Sequence, residues 1–215
     1  MKKQKYDIDF LLDRFQIKRN NHCDLLSAWL EKPAANDDFE LPQLLEEQRQ
    51  KLEFEGNLWN EEELKMHFLS FVFRFADAEV ADKVKMFYER SLSGKIDGML
   101  LSVVCDALLA SPLGLNTPRK PYFFLQEFKK GKKASEDAEG QMLVAMLIAQ
   151  NINADHAPIY GCYLIGKDWY FTTLHEKNYC FSNSYDASTR HELVQILQIL
   201  QCLKFVLAEN GQIEL

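Results

Sequence analysis

No C-x-x-C pair occurs in this sequence, although it holds five cysteines, Cys23, Cys105, Cys162, Cys180 and Cys202. An odd count of singly scattered thiols argues against a disulfide framework and against a thiolate zinc site. Cys105 and Cys202 lie in apolar runs, where a thiol acts as a small core side chain. H-E-x-x-H and similar spacings are also missing, so His67, His156, His175 and His191 read as surface or structural residues. No stretch reads as long and apolar enough to cross a bilayer. Near the start, Asp7, Asp9 and Asp13 interrupt any signal-like apolar region. The expectation is a cytoplasmic protein with no membrane partner. Positive charge is in short supply as well: 25 Lys and Arg face 32 Asp and Glu, a net charge of -7. Binding phosphate needs local positive charge, so this balance counts against a protein that coats nucleic acid generally. A basic cleft on an acidic body is still compatible with it.

What is present is enough for one domain. The chain has 215 residues, 47% of them hydrophobic, which suits a single α/β domain with a buried core and a helical appendage. Residues 1–56 form that appendage. Asp9 to Phe15 and Asp24 to Leu30 have helical apolar spacing, Pro33 to Asp38 reads as a loop, and Leu41 to Phe54 reads as a helix with a solvated face. Charged helices of this kind serve as a lid or as a contact between copies of the chain, so a homo-oligomer through these helices is one expectation. Residues 57–215 carry the rest.

Asn60 caps a helix over Glu61 to Phe75, with Leu64, Phe68, Leu69, Val72 and Phe73 as its buried stripe. Asp97-Gly98 is a hairpin signal, because tight hairpin turns need positive φ. One strand therefore precedes it from Met86, and a second runs from Met99 to Ala110. The second is apolar on both faces, as a central strand should be. Its single charged residue is Asp106, and a carboxylate in such a run is costly unless paired or metal-bound. Pro112 to Lys120 reads as a loop, and Tyr122 to Lys130 as a third strand. Asp137 to Ala149 reads as a helix buried on the sheet, Ile159 to Gly166 and Trp169 to Leu174 as a hairpin, Tyr179 to Ser182 as an edge strand, and Asp186 to Glu209 as an amphipathic helix. Tyr160, Tyr163, Trp169 and Tyr170 read as hairpin packing.

Along the third strand the period of two puts Phe123, Leu125, Glu127 and Lys129 on one face. An E-x-K tripeptide alone is a weak signal, and a second one, Glu63-Leu64-Lys65, sits on a helix. Glu127-Phe128-Lys129 differs in its context, at the end of an apolar strand next to the strand carrying Asp106. Cleaving a phosphodiester requires a divalent cation that polarises the phosphate and acidifies an attacking water. Mg²⁺ takes carboxylate and water oxygens and few protein ligands, so Asp106 and Glu127 would suffice. Lys129, about 7 Å along the strand from Glu127, would stabilise transition-state charge or orient the water.

The segments CDALLASP, PYFFLQEFKK, EGQMLVAMLIAQ and PIYGCYLIGKDWYFTTL resemble the PD-(D/E)xK, restriction-endonuclease-like superfamily, in particular a group of uncharacterised bacterial proteins, many from Bacteroidetes. The resemblance spans about residues 59–205. It implies an αβββαβ core, a mixed central sheet flanked by helices. It also implies a nuclease acting on nucleic acid, DNA foremost, with Mg²⁺ or Mn²⁺ held by Asp106 and Glu127 and with Lys129 as a catalytic residue. It further implies a supporting polar residue on the next helix, which Gln141 matches, and a glutamate on the first core helix, Glu61 with Glu63 as the alternative. Lys130, Lys132 and Lys133 in the following loop would meet the phosphate backbone. Two departures stand out. Cys105 takes the place of the proline before Asp106, and the Q-x-x-x-Y form of some nuclease branches is absent because Ala145 follows Gln141 at that spacing. A nuclease-fold protein that binds nucleic acid or a protein partner without cleaving is the alternative.

Overall fold

The computed structural model describes residues 6–32, 40–114, 116–129 and 137–215. The elements follow in the order α1 (Ile8–Phe15), β1 (Lys18–Asn20), α2 (Asp24–Leu30), α3 (Gln43–Glu55) and α4 (Glu61–Leu64), then a π-helical turn (Lys65–Leu69) and α5 (Ser70–Ala76). They continue as β2 (Lys85–Ile96), β3 (Met99–Leu113), β4 (Thr117–Lys129), α6 (Ala138–Asn153), β5 (Ile159–Ile165), β6 (Asp168–His175), β7 (Asn178–Phe181), β8 (Tyr185–Asp186) and α7 (Arg190–Glu209). The eight strands make one mixed sheet in the order β1-β7-β6-β5-β4-β3-β2, with β8 paired to β6. The β4–β5 and β1–β7 pairs are parallel, and the others are antiparallel.

Each face of the sheet has its own core. One face is covered by α6, buried along its whole length from Met142 to Ala149, with α1 adding Leu11 and Phe15. The other is covered by α5 and α7, with α2 and α3 adding Trp29, Leu45 and Leu52. Helices on both faces of a mixed sheet bury the apolar side of every element. The N-terminal stretch is helical as expected, but it also holds strand β1, and its side chains belong to both cores. Helix α7 is long and apolar enough to cross a membrane by length and composition, but half of that segment is buried against the sheet core.

The turn Asp97-Gly98 has the expected positive φ at both residues, +46° and +84°. Residues 112–120, expected as a loop, mostly prolong the β3–β4 hairpin, with Pro112 opposite Pro118. Prolines signal strand ends because they give no ladder N–H. Here bulges between Leu109, Ala110 and Ser111 absorb the mismatch. The same irregularity makes Phe123 an extra residue on β4 and sends it to the core opposite Leu125. Cys23 and Cys180 form a disulfide, their Cα atoms 6.3 Å apart, against the expectation from spacing. They are 157 residues apart in sequence, and only the packing of the α2 entrance on β7 brings them together.

Candidate functional site

Strands β3 and β4 pair from Leu113↔Thr117 to Ala107↔Gln126 and then part. Beyond that point β3 stays with β2, while β4 stays with β5 as far as Lys129↔Ile165. The backbone N–H of Phe128 therefore loses its strand partner just where Asp106 begins the unpaired part of β3. The Asp106 carboxylate fills the gap: Phe128 N–H donates to its Oδ2 at 2.7 Å. A buried amide needs such a partner, so the expected lone acid has a structural reason to sit in an apolar strand.

On the far side of the same residue, Lys129 Nζ donates to Glu127 Oε1 at 2.6 Å and to the Phe128 carbonyl at 2.8 Å. The N–H and the carbonyl of one residue, Phe128, thus link Asp106 to the Glu127–Lys129 pair. Burial works against the charged form of Lys129. Glu127, then Asp106 and Glu61, more than offset this and raise its pKa above the ordinary value. Cys105 is buried beside these acids. Burial, then Glu127, Asp106 and Glu89, push its thiol well up, so it stays protonated.

Asp106 has a second partner, which the sequence does not signal. Lys65, the last residue of the helical Glu63-Leu64-Lys65 tripeptide, places Nζ 2.8 Å from Asp106 Oδ1. It also lies 2.9 Å from Glu89 and 3.5 Å from both Glu61 and Glu62. Burial opposes its charge, but Asp106 and Glu89 dominate and raise its pKa. Two irregular backbones converge here. Lys65 opens the π-helical turn, and Glu89 sits mid-strand at φ +50°. Both kinds of irregularity are costly and concentrate at functional sites. The helical offset of Lys65 from Glu61 could have signalled their pairing. Nothing in the sequence marks Glu89, because glutamate has no preference for positive φ.

The first-helix glutamates separate cleanly. Glu63 closes a capping box: its Oε2 accepts from Asn60 N–H at 2.6 Å while Asn60 Oδ1 accepts from Glu63 N–H at 2.9 Å. Glu61, like Glu62, lies 3.5 Å from Lys65, and its charge also helps to raise Lys129. Gln141 is buried in the first turn of α6, and its Oε1 has no hydrogen-bond partner. Lys130, Lys132 and Lys133 lie outside the described residues. The structure therefore brings Asp106, Glu127, Lys129 and Glu61 to one place, and it adds Lys65 and Glu89.

Among the described residues, no three His, Cys, Asp or Glu side chains lie close enough to hold a metal by themselves. The oxygens of Asp106 and Glu127 and the Phe128 carbonyl are nonetheless of the class Mg²⁺ takes, and Mg²⁺ keeps most of its shell as water. Asp106 Oδ1 and Glu127 Oε1 each face an ammonium, that of Lys65 and that of Lys129 respectively. Comparison of the sequence with protein-family models and with curated proteins finds no match to either.

Proposed function

We propose that this chain is a metal-dependent nuclease with a restriction-endonuclease-like core that hydrolyses phosphodiester bonds in DNA. The observation that carries the proposal is the Phe128 backbone, whose N–H holds Asp106 and whose carbonyl holds Lys129, itself paired with Glu127, where two strands part. Asp106 and Glu127 would hold Mg²⁺ or Mn²⁺, which supplies Lewis acidity to the phosphate and an acidified water. Lys129 is charged at neutral pH by the direction of its shift, so it acts as a fixed positive charge toward the phosphoryl oxygens rather than as a base. The unpartnered Oε1 of Gln141 offers an acceptor to orient a water. Lys130, Lys132 and Lys133 would guide the backbone of the DNA on an otherwise acidic protein. Purified protein should nick plasmid DNA with Mg²⁺ or Mn²⁺, and Glu127→Gln should lower the rate at least a hundredfold with an unchanged circular-dichroism spectrum. Failure to cut DNA or RNA with either metal sinks the catalytic reading.

A second reading has its own observation. Both oxygens of Asp106 are engaged, by Lys65 and by the Phe128 amide, which suits a nuclease-fold protein that binds nucleic acid without cleaving it. Calorimetric titration with Mn²⁺ separates the two. The catalytic reading expects binding that Asp106→Asn abolishes, whereas the binding-only reading expects no Mn²⁺ binding but a retained gel shift with DNA.

A further inference from the structure

On the α5 side of the sheet, next to Asp106, lies a cleft of about 350 Å³. That volume is within the size range of small-molecule sites. Leu69 and Phe73 from the helix, and Tyr88 from β2, supply apolar and aromatic walls. Glu89, Asp106 and the Lys65 ammonium that bridges them line it as well, and Gln126 comes from the central strand β4. Gln126 is only 2% exposed, and its Nε2 has no hydrogen-bond partner. An amide donor left unpaired in a buried site costs free energy comparable to a lost hydrogen bond. Its placement in the lining of a cleft points to an occupant that brings an acceptor.

The remaining chemistry narrows the occupant. The walls favour a flat ring, and carboxylates beside an unpaired N–H donor favour a ring that carries both an acceptor and an amino group. A free phosphate would meet three acids, Glu62, Glu89 and Asp106, against the single ammonium of Lys65, which Glu89 and Asp106 already engage. From this juxtaposition of Gln126, Tyr88, Phe73 and the acids, we infer that the cleft takes one amino-bearing nucleobase, adenine, cytosine or guanine. The base accepts from Gln126 Nε2 and donates its amino group toward Glu89. This deepens the nuclease reading and rests on it for the link to a polynucleotide: Asp106 belongs both to the cleft and to the proposed catalytic set, so a base seated here would position its own backbone at that set.

The test needs neither metal nor cleavage. ¹⁵N-labelled protein is titrated with adenosine, cytidine, guanosine and thymidine, and the Gln126 side-chain amide resonance is followed. At least one amino-bearing nucleoside should move that resonance and bind at least tenfold more tightly than thymidine. Gln126→Leu, close in volume, should weaken that binding tenfold or more. Tyr88→Ala, at a half-exposed position whose loss spares the core, should weaken it too. No nucleoside binding, or equal binding to wild type and both variants, overturns the pocket. Binding without any nuclease activity leaves the pocket standing and removes only the catalytic reading. Cleavage without nucleoside binding does the reverse.

Discussion

The Glu127 and Lys129 side chains are 3% and 4% exposed, so their attraction acts out of water. Removing one partner of such a pair leaves a buried, uncompensated charge and costs about 3–5 kcal/mol, whereas neutral replacement of both is often tolerated. Lys129→Met should therefore lower the urea midpoint sharply, and Glu127→Gln/Lys129→Met should recover most of it. Additive losses in the double variant would show that the two side chains do not depend on each other. The two site lysines also set a pH dependence. The amines of Lys65 and Lys129 are both raised above the ordinary 10.5 by neighbouring carboxylates that outweigh burial. A group raised in the folded state contributes stability that is complete below its unfolded value and is lost as pH rises through its folded value. Melting temperature should hold steady from pH 7 to about 10 as far as these groups are concerned, and fall above it. The fall should be smaller in Lys65→Met, and an identical alkaline profile in that variant would count against the ion-pair account.

At the scale of elements, the strand β5 and the helix α6 meet with almost no space between them. A Cβ at Gly161 would lie 2.9 Å from the Leu125 carbonyl, 3.0 Å from Met142 Sδ and 3.2 Å from Thr172 Oγ1. The first contact is backbone and cannot swing away. Gly161→Ala should cost about 1–3 kcal/mol through overpacking, read as a lower thermal midpoint, and an unchanged midpoint would mean that the sheet can give at β4–β5. Element identity was well marked in the residues. Asn60 announced a capped helix, Asp97-Gly98 a hairpin, and the apolar run after Asp137 a buried helix. The misreadings have a common cause. A π turn at Lys65, a bulge at Phe123 and a positive φ at Glu89 each shift register by local geometry that no residue type announces.

For the whole molecule, Trp29 shows how far the N-terminal stretch is built into the fold. It is fully buried, its Nε1 donates to the Ile199 carbonyl at 2.9 Å, and its ring meets Phe124, Tyr160 and Phe171 edge-on. One side chain thus joins α2, α7 and three strands. Trp29→Ala should cost about 3–5 kcal/mol in chemical denaturation, comparable to a large share of a domain's total stability. A loss under about 1 kcal/mol would show that the N-terminal helices ride on a core that stands without them.

The residues by themselves determined the α/β alternation and the central strands, and together with the family resemblance they singled out Asp106, Glu127 and Lys129 as a candidate trio, because periodicity and turn chemistry are local and a lone charge in an apolar run is conspicuous. Only the tertiary structure decided that Lys65 and Glu89 join Asp106, that Cys23 reaches Cys180, and that Gln126 faces a cleft with its amide unpaired. These depend on where strands part and which elements pack across the sheet. Such distances in space are set by the sum of many weak contacts and leave no periodic trace along the chain.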